Sequence, residues 1–281
     1  MKIDSHQHFW NYDAVEYPWI SDELAVLRRD FGPADLKQEL DDVGLDGCVA
    51  VQARQNLAEG HWLCSLSDEA DFIRGVVGWV DLRSEQADEQ LDELNAHPKF
   101  VGVRHVVQDE PDDRFIVGED FMKGISLLEK YELKYDILIF PKQLPATLEF
   151  VKKFPDQPFV LDHVAKPLIK AGEVSPWDTQ IRQLAKYPNV MCKVSGMVTE
   201  ADWENWECDH FDPYLDVVLD AFGPKRLMYG SDWPVCTLAG SYKQVHSLAL
   251  RLADRLSEDE QRLFWGDNAA AFYGLPLPEV E

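Results

Sequence analysis

The sequence predicts an α/β chain in which eight short strands alternate with helices and close into a parallel (β/α)8 barrel. Three observations lead there. Apolar runs of about six residues, bounded by glycine or polar residues, recur between longer helical stretches, and strands that alternate with helices imply a parallel sheet. The chain has 281 residues, 46% of them apolar, enough for one full core and close to the roughly 250 residues of a typical barrel. A single domain over residues 1–281 is therefore expected. Finally, polar residues gather at the carboxyl ends of the runs, where such barrels carry their chemistry.

The first strand candidate, Ile3–Phe9, contains His6 and His8. A period of two puts both imidazoles on one face with Cα atoms roughly 6.5–7 Å apart, close enough to approach one ion or one substrate atom. Taken alone, the pair also suits a half-exposed polar strand. A connection rich in aromatics follows (Trp10, Tyr12, Tyr17, Trp19), read first as a satellite core under a long loop and second as a roof over the histidines. Pro33–Val43 reads as a helix with proline at its start and Gly44 at its close. Strand candidates then fall at 47–52, 75–81, 101–107, 135–140, 159–163, 190–195 and 226–232. Helices are expected at 57–72, 85–96, 118–131, 144–154, 177–186, 213–222, 242–255, 258–265 and 269–273, before a proline-rich end, 275–281, expected to fray.

Alternation selects the residues that face the barrel mouth. In Val101, Val103, His105 and Val107 the mostly apolar face meets the helices, so Arg104 points inward. The same reasoning prefers Gln52 and Arg54 over Val51, Trp79 and Asp81 over Val80, and Lys193 and Ser195 over Val194. Strand six ends in Asp162 and His163, strand eight in Ser231 and Asp232. Because closure makes strand eight a neighbour of strand one, Asp232 is expected beside His6 and His8, giving three ligands for one metal ion.

A net charge of −24 argues against nucleic acid or an anionic membrane as partner, since both are polyanions. Five scattered cysteines without a Cys-x-x-Cys pair fit reduced, structural thiols. With no basic apolar leader at the start and no apolar run of membrane-spanning length, a soluble, cytoplasmic protein is expected.

The ordered motifs Asp4-Ser5-His6-Gln7-His8-Phe9-Trp10, Gly102-Val103-Arg104-His105, Leu161-Asp162-His163-Val164-Ala165-Lys166-Pro167, Lys193-Val194-Ser195-Gly196-Met197 and Tyr229-Gly230-Ser231-Asp232-Trp233-Pro234 resemble the amidohydrolase superfamily. Within it, the chain is similar to the sugar-lactonase branch, typified by L-fuconolactonase and L-rhamnonolactonase, from Met1 to about Gly274. The resemblance implies a TIM barrel of amidohydrolase type whose reacting centre is built from His6, His8, His163 and Asp232. It also implies hydrolysis of a small-molecule sugar lactone such as L-fucono-1,5-lactone. The usual strand-four metal bridge and strand-five histidine are replaced by Arg104-His105 and Asp136-Ile137-Leu138, which argues against two metals. One zinc ion on His6, His8 and Asp232 is expected if any, and lactonases of this kind need not depend on it. The expected roles are Asp232 as general base, and His163 and Arg104 as oxyanion stabilisers. Gln52, Arg54, Trp79, Asp81 and Lys193 are expected to bind substrate. The alternatives are a metal-dependent decarboxylase or amide hydrolase on the same barrel, or a non-catalytic sugar-acid binder. A serine hydrolase is excluded because no Gly-x-Ser-x-Gly elbow is present.

Overall fold

The computed structural model describes residues 1–275. Eight parallel strands, β1 (Ile3–Gln7), β2 (Gly47–Val51), β3 (Ile73–Gly78), β4 (Phe100–His105), β5 (Lys134–Ile137), β6 (Phe159–Leu161), β7 (Val190–Val194) and β8 (Leu227–Tyr229), lie side by side in chain order. Between them run α1 (Pro33–Val43), α2 (Leu57–Glu69), α3 (Ala87–Asn95), α4 (Glu119–Leu127), α5 (Leu144–Lys153), α6 (Trp177–Leu184) and α7 (Asp212–Phe222). After β8 come α8 (Tyr242–Ala253), α9 (Glu258–Arg262), a π turn over Leu263–Asp267, and α10 (Asn268–Tyr273). The barrel closes just beyond the end of β8: the Asp232 N–H donates to the His6 carbonyl at 2.8 Å and the His8 N–H to the Trp233 carbonyl at 2.7 Å. Closure and candidate site thus share the same residues.

Local chemistry places the helix ends. Pro33 opens α1 while the Asp35 carboxylate accepts the Gly32 N–H, and Gly44 ends it at φ 72°, a left-handed conformation that costs glycine little. Ser241 and Gln244 form a reciprocal cap on α8. No helix among the described residues is long and apolar enough to cross a membrane.

Two apolar cores result. The larger fills the layer between strands and helices and includes Trp10, Tyr17, Ile20, Leu27 and Phe31. The long connection is therefore a satellite core, as first read, yet Trp19 from the same segment lines the cavity described below. The smaller core lies inside the barrel, where Ile3, Val49, Val77, Val160 and Met228 pack with Phe272, Tyr273 and Leu275 at the α10 end. Leu275, expected to fray, is buried there; residues 276–281 lie outside the described residues.

Val51 corrects one inward–outward assignment. It packs in this inner core, although alternation prefers Gln52 for the inside. Val51 follows Val49 inward by the period of two, whereas Gln52, just past the end of β2 and with its N–H still on the Val77 carbonyl at 2.8 Å, turns its side chain to Arg104. Several strands likewise end before their expected limits, β3 at Gly78, β5 at Ile137 and β8 at Tyr229.

Candidate active site

His6 and His8 leave β1 into the mouth as the period of two requires. The His8 Nδ1 lies 2.8 Å from the Val51 carbonyl, which only an Nδ1–H can satisfy. In the neutral ring the lone pair then sits on Nε2, 3.3 Å from Asp232 Oδ1. Two acceptors face each other there, an arrangement that calls for a proton or a cation between them. The Nε2 atoms of His6 and His163 also converge on Asp232 Oδ1, at 3.9 and 3.8 Å.

Backbone strain aims two of these groups. Asp232 adopts φ 58°, and His163, Val164, Ala165 and Lys166 form a left-handed turn with φ between 47° and 59°, a run that L residues avoid and that marks functional segments. This turn buries Val164 and Ala165 while His163 and Lys166, three residues apart, both face the cavity. Close backbone approach makes room for the rings. A side chain at Gly196 would collide with the His163 ring, and a Cβ at Gly230 would lie 2.7 Å from His6 Cβ.

Beneath His6 is a buried ionic cluster. Lys193 Nζ lies 2.5 Å from Asp136 Oδ2, 3.0 Å from Asp162 Oδ1 and 3.2 Å from His6 Nδ1. Arg104 Nη1 reaches His6 Nε2 and Asp162 Oδ2, each at 3.2 Å, and its Nη2 donates to the Gln52 carbonyl and, at 2.8 Å, to Gln52 Oε1. From the floor of the barrel, the Tyr273 hydroxyl meets both Asp136 oxygens at 2.8 and 2.9 Å. Burial and the charges of Lys193 and Arg104 hold the His6 imidazole well below the usual histidine range, and burial does the same for His163. Both rings are neutral at pH 7. Burial raises the Asp232 carboxyl, but in the acid range where it titrates the cationic form of His163 and the Lys166 ammonium more than offset it, so the group stays below the usual carboxylate range and is ionised at pH 7. Asp4 clasps the closure from behind, accepting the N–H groups of Ser231 (2.8 Å) and His6 (3.1 Å) and the Tyr242 hydroxyl (2.8 Å).

The cavity above has a volume of about 520 Å³. Arg104, His163, Asp232 and His8 border it, with Arg54, Lys166, Trp19 and Glu110 on its walls. Other expected substrate contacts lie elsewhere. Gln52 is buried against Arg104, and Lys193 is buried under His6, out of reach of a ligand. Trp79 and Asp81 stand outside the cavity: past the end of β3, Trp79 turns to His105 on the outward face, and Asp81 caps the backbone N–H of Arg83. Lys166, Glu110 and Asp136, the buried partner of Lys193, carry no sequence signal that marks them as parts of the site. Lys166 stood within a quoted motif, but nothing in Val164-Ala165 announces a left-handed turn.

Glu59 fixes the loop that carries Arg54. Its carboxylate accepts the N–H groups of Ala53 (3.0 Å) and Arg54 (3.1 Å) and the Tyr17 hydroxyl (3.3 Å). Burial pushes its pKa from 4.5 to about 7. The folded state therefore holds a proton that the unfolded chain releases near 4.5, so this contribution to stability is full below that pH and is lost as pH rises through about 7. Urea unfolding at a series of pH values is expected to show stability falling across this window, with a shallower slope for Glu59→Gln. An unchanged slope would contradict the assignment.

Residues 3–275 match the family Amidohydro_2, described as Amidohydrolase. The chain belongs to the amidohydrolase family. It is 43% identical over 289 aligned positions to L-fucono-1,5-lactonase of Burkholderia multivorans, covering 99% of this chain and 97% of that protein. It is 36% identical to L-fucono-1,5-lactonase of Burkholderia ambifaria, with the same coverage. A crystal structure of an amidohydrolase from Burkholderia multivorans with bound zinc superposes with a TM-score of 0.95 at 43% identity, covering 98% of this chain and all of the other. The expected fold and family thus hold across the described chain.

Proposed function

We propose that the protein hydrolyses an L-sugar lactone, L-fucono-1,5-lactone or a close relative, to the sugar acid. The observation that carries this reading is the convergence of three imidazole Nε2 atoms on one ionised carboxylate, Asp232, at the floor of a cavity of about 520 Å³. The names of the full-length relatives narrow the substrate class. Polar walls that include Arg54, Gln55, Asn56 and Gln108, with Trp19 as an apolar face, suit a ring bearing several hydroxyls.

In this mechanism Asp232 takes a proton from the attacking water as the water oxygen bonds to the lactone carbonyl carbon. His163 Nδ1 lies 2.9 Å from the Ser195 hydroxyl; in this mechanism the hydroxyl donates to that nitrogen, which keeps the ring proton on Nε2 to donate to the developing oxyanion. Arg104 and Lys166 add positive potential. The ring C–O bond then breaks, Asp232 returns its proton to the leaving alkoxide, and the new acid ionises and releases a proton to solvent.

The donor chemistry also fits one zinc ion, held by His6, His8 and Asp232, whose ligand atoms lie within 4.8 Å of one another. A second group, His6, Asp162 and His163, meets the same distance. When bound, such an ion supplies Lewis acidity at the carbonyl. Arg104 and Lys193, each 3.2 Å from a ring nitrogen of His6, compete with it for that residue. Chelation is therefore expected to leave turnover well above that of Asp232→Asn. A fall to that level, reversed by zinc, would transfer the oxyanion role from the chain's own cations to the ion.

Five free thiols fit a reducing compartment such as the cytoplasm, and the reading treats the barrel as one domain acting on a small molecule. The test is acid release from a panel of aldonolactones, including L-fucono, L-rhamnono, D-arabinono and L-galactono forms. Turnover strongest with an L-sugar lactone is expected. Inactivity on every lactone, with carbon dioxide release from a carboxylated substrate or cleavage of an amide, would overturn it.

A further inference from the structure

We propose that Glu110 binds a substrate hydroxyl remote from the lactone carbonyl, and that Trp79 and His105 are the residues that position it. The inference rests on the sugar-lactone reading above and extends it to the source of stereochemical selectivity. Glu110 lines the cavity just after β4. In a ring of eight strands, β4 stands across the mouth from β8 and so from Asp232. A lactone whose carbonyl lies over Asp232 therefore presents its far hydroxyls to Glu110.

A chain of hydrogen bonds fixes this carboxylate. The indole Nε1–H of Trp79 donates to His105 Nδ1 at 3.2 Å. Since an indole nitrogen can only donate, Nδ1 must accept, and the ring proton of neutral His105 is confined to Nε2. That N–H donates to Glu110 Oε1 at 2.7 Å. The imidazole itself cannot turn: it is buried, stacked on Phe115 with centroids 4.8 Å apart and edge-on to Phe121 at 5.5 Å. Among the described residues no hydrogen bond is made to the second oxygen of Glu110, Oε2, which is left for a ligand. A carboxyl oxygen held in this way accepts a hydrogen bond from a substrate hydroxyl at one position and rejects an epimer that points the hydroxyl elsewhere. Trp79, expected to touch substrate, thus acts through His105.

The test compares KM and kcat for wild type, Glu110→Gln and Trp79→Phe on aldonolactones that differ by loss or inversion of one hydroxyl. Glu110→Gln is expected to raise KM about tenfold on the preferred lactone with kcat within about twofold, the signature of lost uniform binding. Trp79→Phe keeps an aromatic ring, though a smaller one, and removes the N–H, freeing His105 to protonate Nδ1, and is expected to raise KM about threefold, by a partial loss of the same bond. On one deoxy or epimeric lactone, already poor for wild type, both substitutions are expected to have no further effect. A general structural disturbance would raise KM on every lactone alike, and that result, or an unchanged KM throughout, would overturn the proposal. Wild type inactive on every lactone would instead remove the reading on which it rests.

Discussion

Replacing Asp232 with Asn is expected to lower kcat for lactone hydrolysis by about 10³-fold or more while leaving the melting temperature nearly unchanged. The residue is the point on which three imidazoles converge, and an amide can neither take the proton from water nor return it to the ring oxygen. The fold should survive for a specific reason. Asp232 sits at φ 58°, and asparagine is among the few residues that adopt the left-handed region readily. Its backbone N–H still donates to the His6 carbonyl and closes the barrel. Steady-state kinetics beside a thermal melt check both halves; near-normal kcat in a folded variant would remove Asp232 from the chemistry.

The second large effect concerns stability. Lys193→Met is expected to cost about 3–5 kcal/mol and lower the melting temperature by on the order of 10 °C. The ammonium is fully buried between Asp136 and Asp162 at 2.5 and 3.0 Å, and methionine leaves both carboxylates inside the barrel without it. Burial already pushes Asp136 up to about 6 against the pull of Lys193, and removing the lysine raises it further. Stability tied to its proton is lost as pH rises through that value, so the variant should lose more at pH 8 than at pH 5.5. Melts at the two pH values test this, and the double variant Lys193→Met/Asp136→Asn should recover part of the loss. A single variant as stable as wild type at pH 8 would show that the cluster contributes nothing.

What the sequence disclosed and what it hid follow from the range of the interactions involved. Pro33 and Gly44 act locally, and α1 begins and ends at them as read. The period of two brought Arg104 inward and His105 outward, and closure of the ring was enough to place Asp232 beside His8. Failures came where the pleat stops. Beyond Gly78 alternation no longer governs the side chains, so Trp79 and Asp81 fall outside the cavity, while Val51, still within β2, follows Val49 into the barrel and Gln52, just past the strand end, departs from the period. The left-handed turn His163–Lys166 runs against local preference and is held by tertiary packing, with Val164 and Ala165 buried. The partnership of Lys193 with Asp136 joins β7 to β5 through the barrel interior, a contact that neither strand's own pattern carries.

Lactone opening by Asp232 is read most simply as proton release from L-fucono-1,5-lactone by the purified protein, measured against spontaneous opening of the same lactone. A rate proportional to protein concentration, far above the background, is expected, falling close to background in Asp232→Asn. Wild-type protein that releases acid no faster than buffer, with or without added zinc, would contradict it.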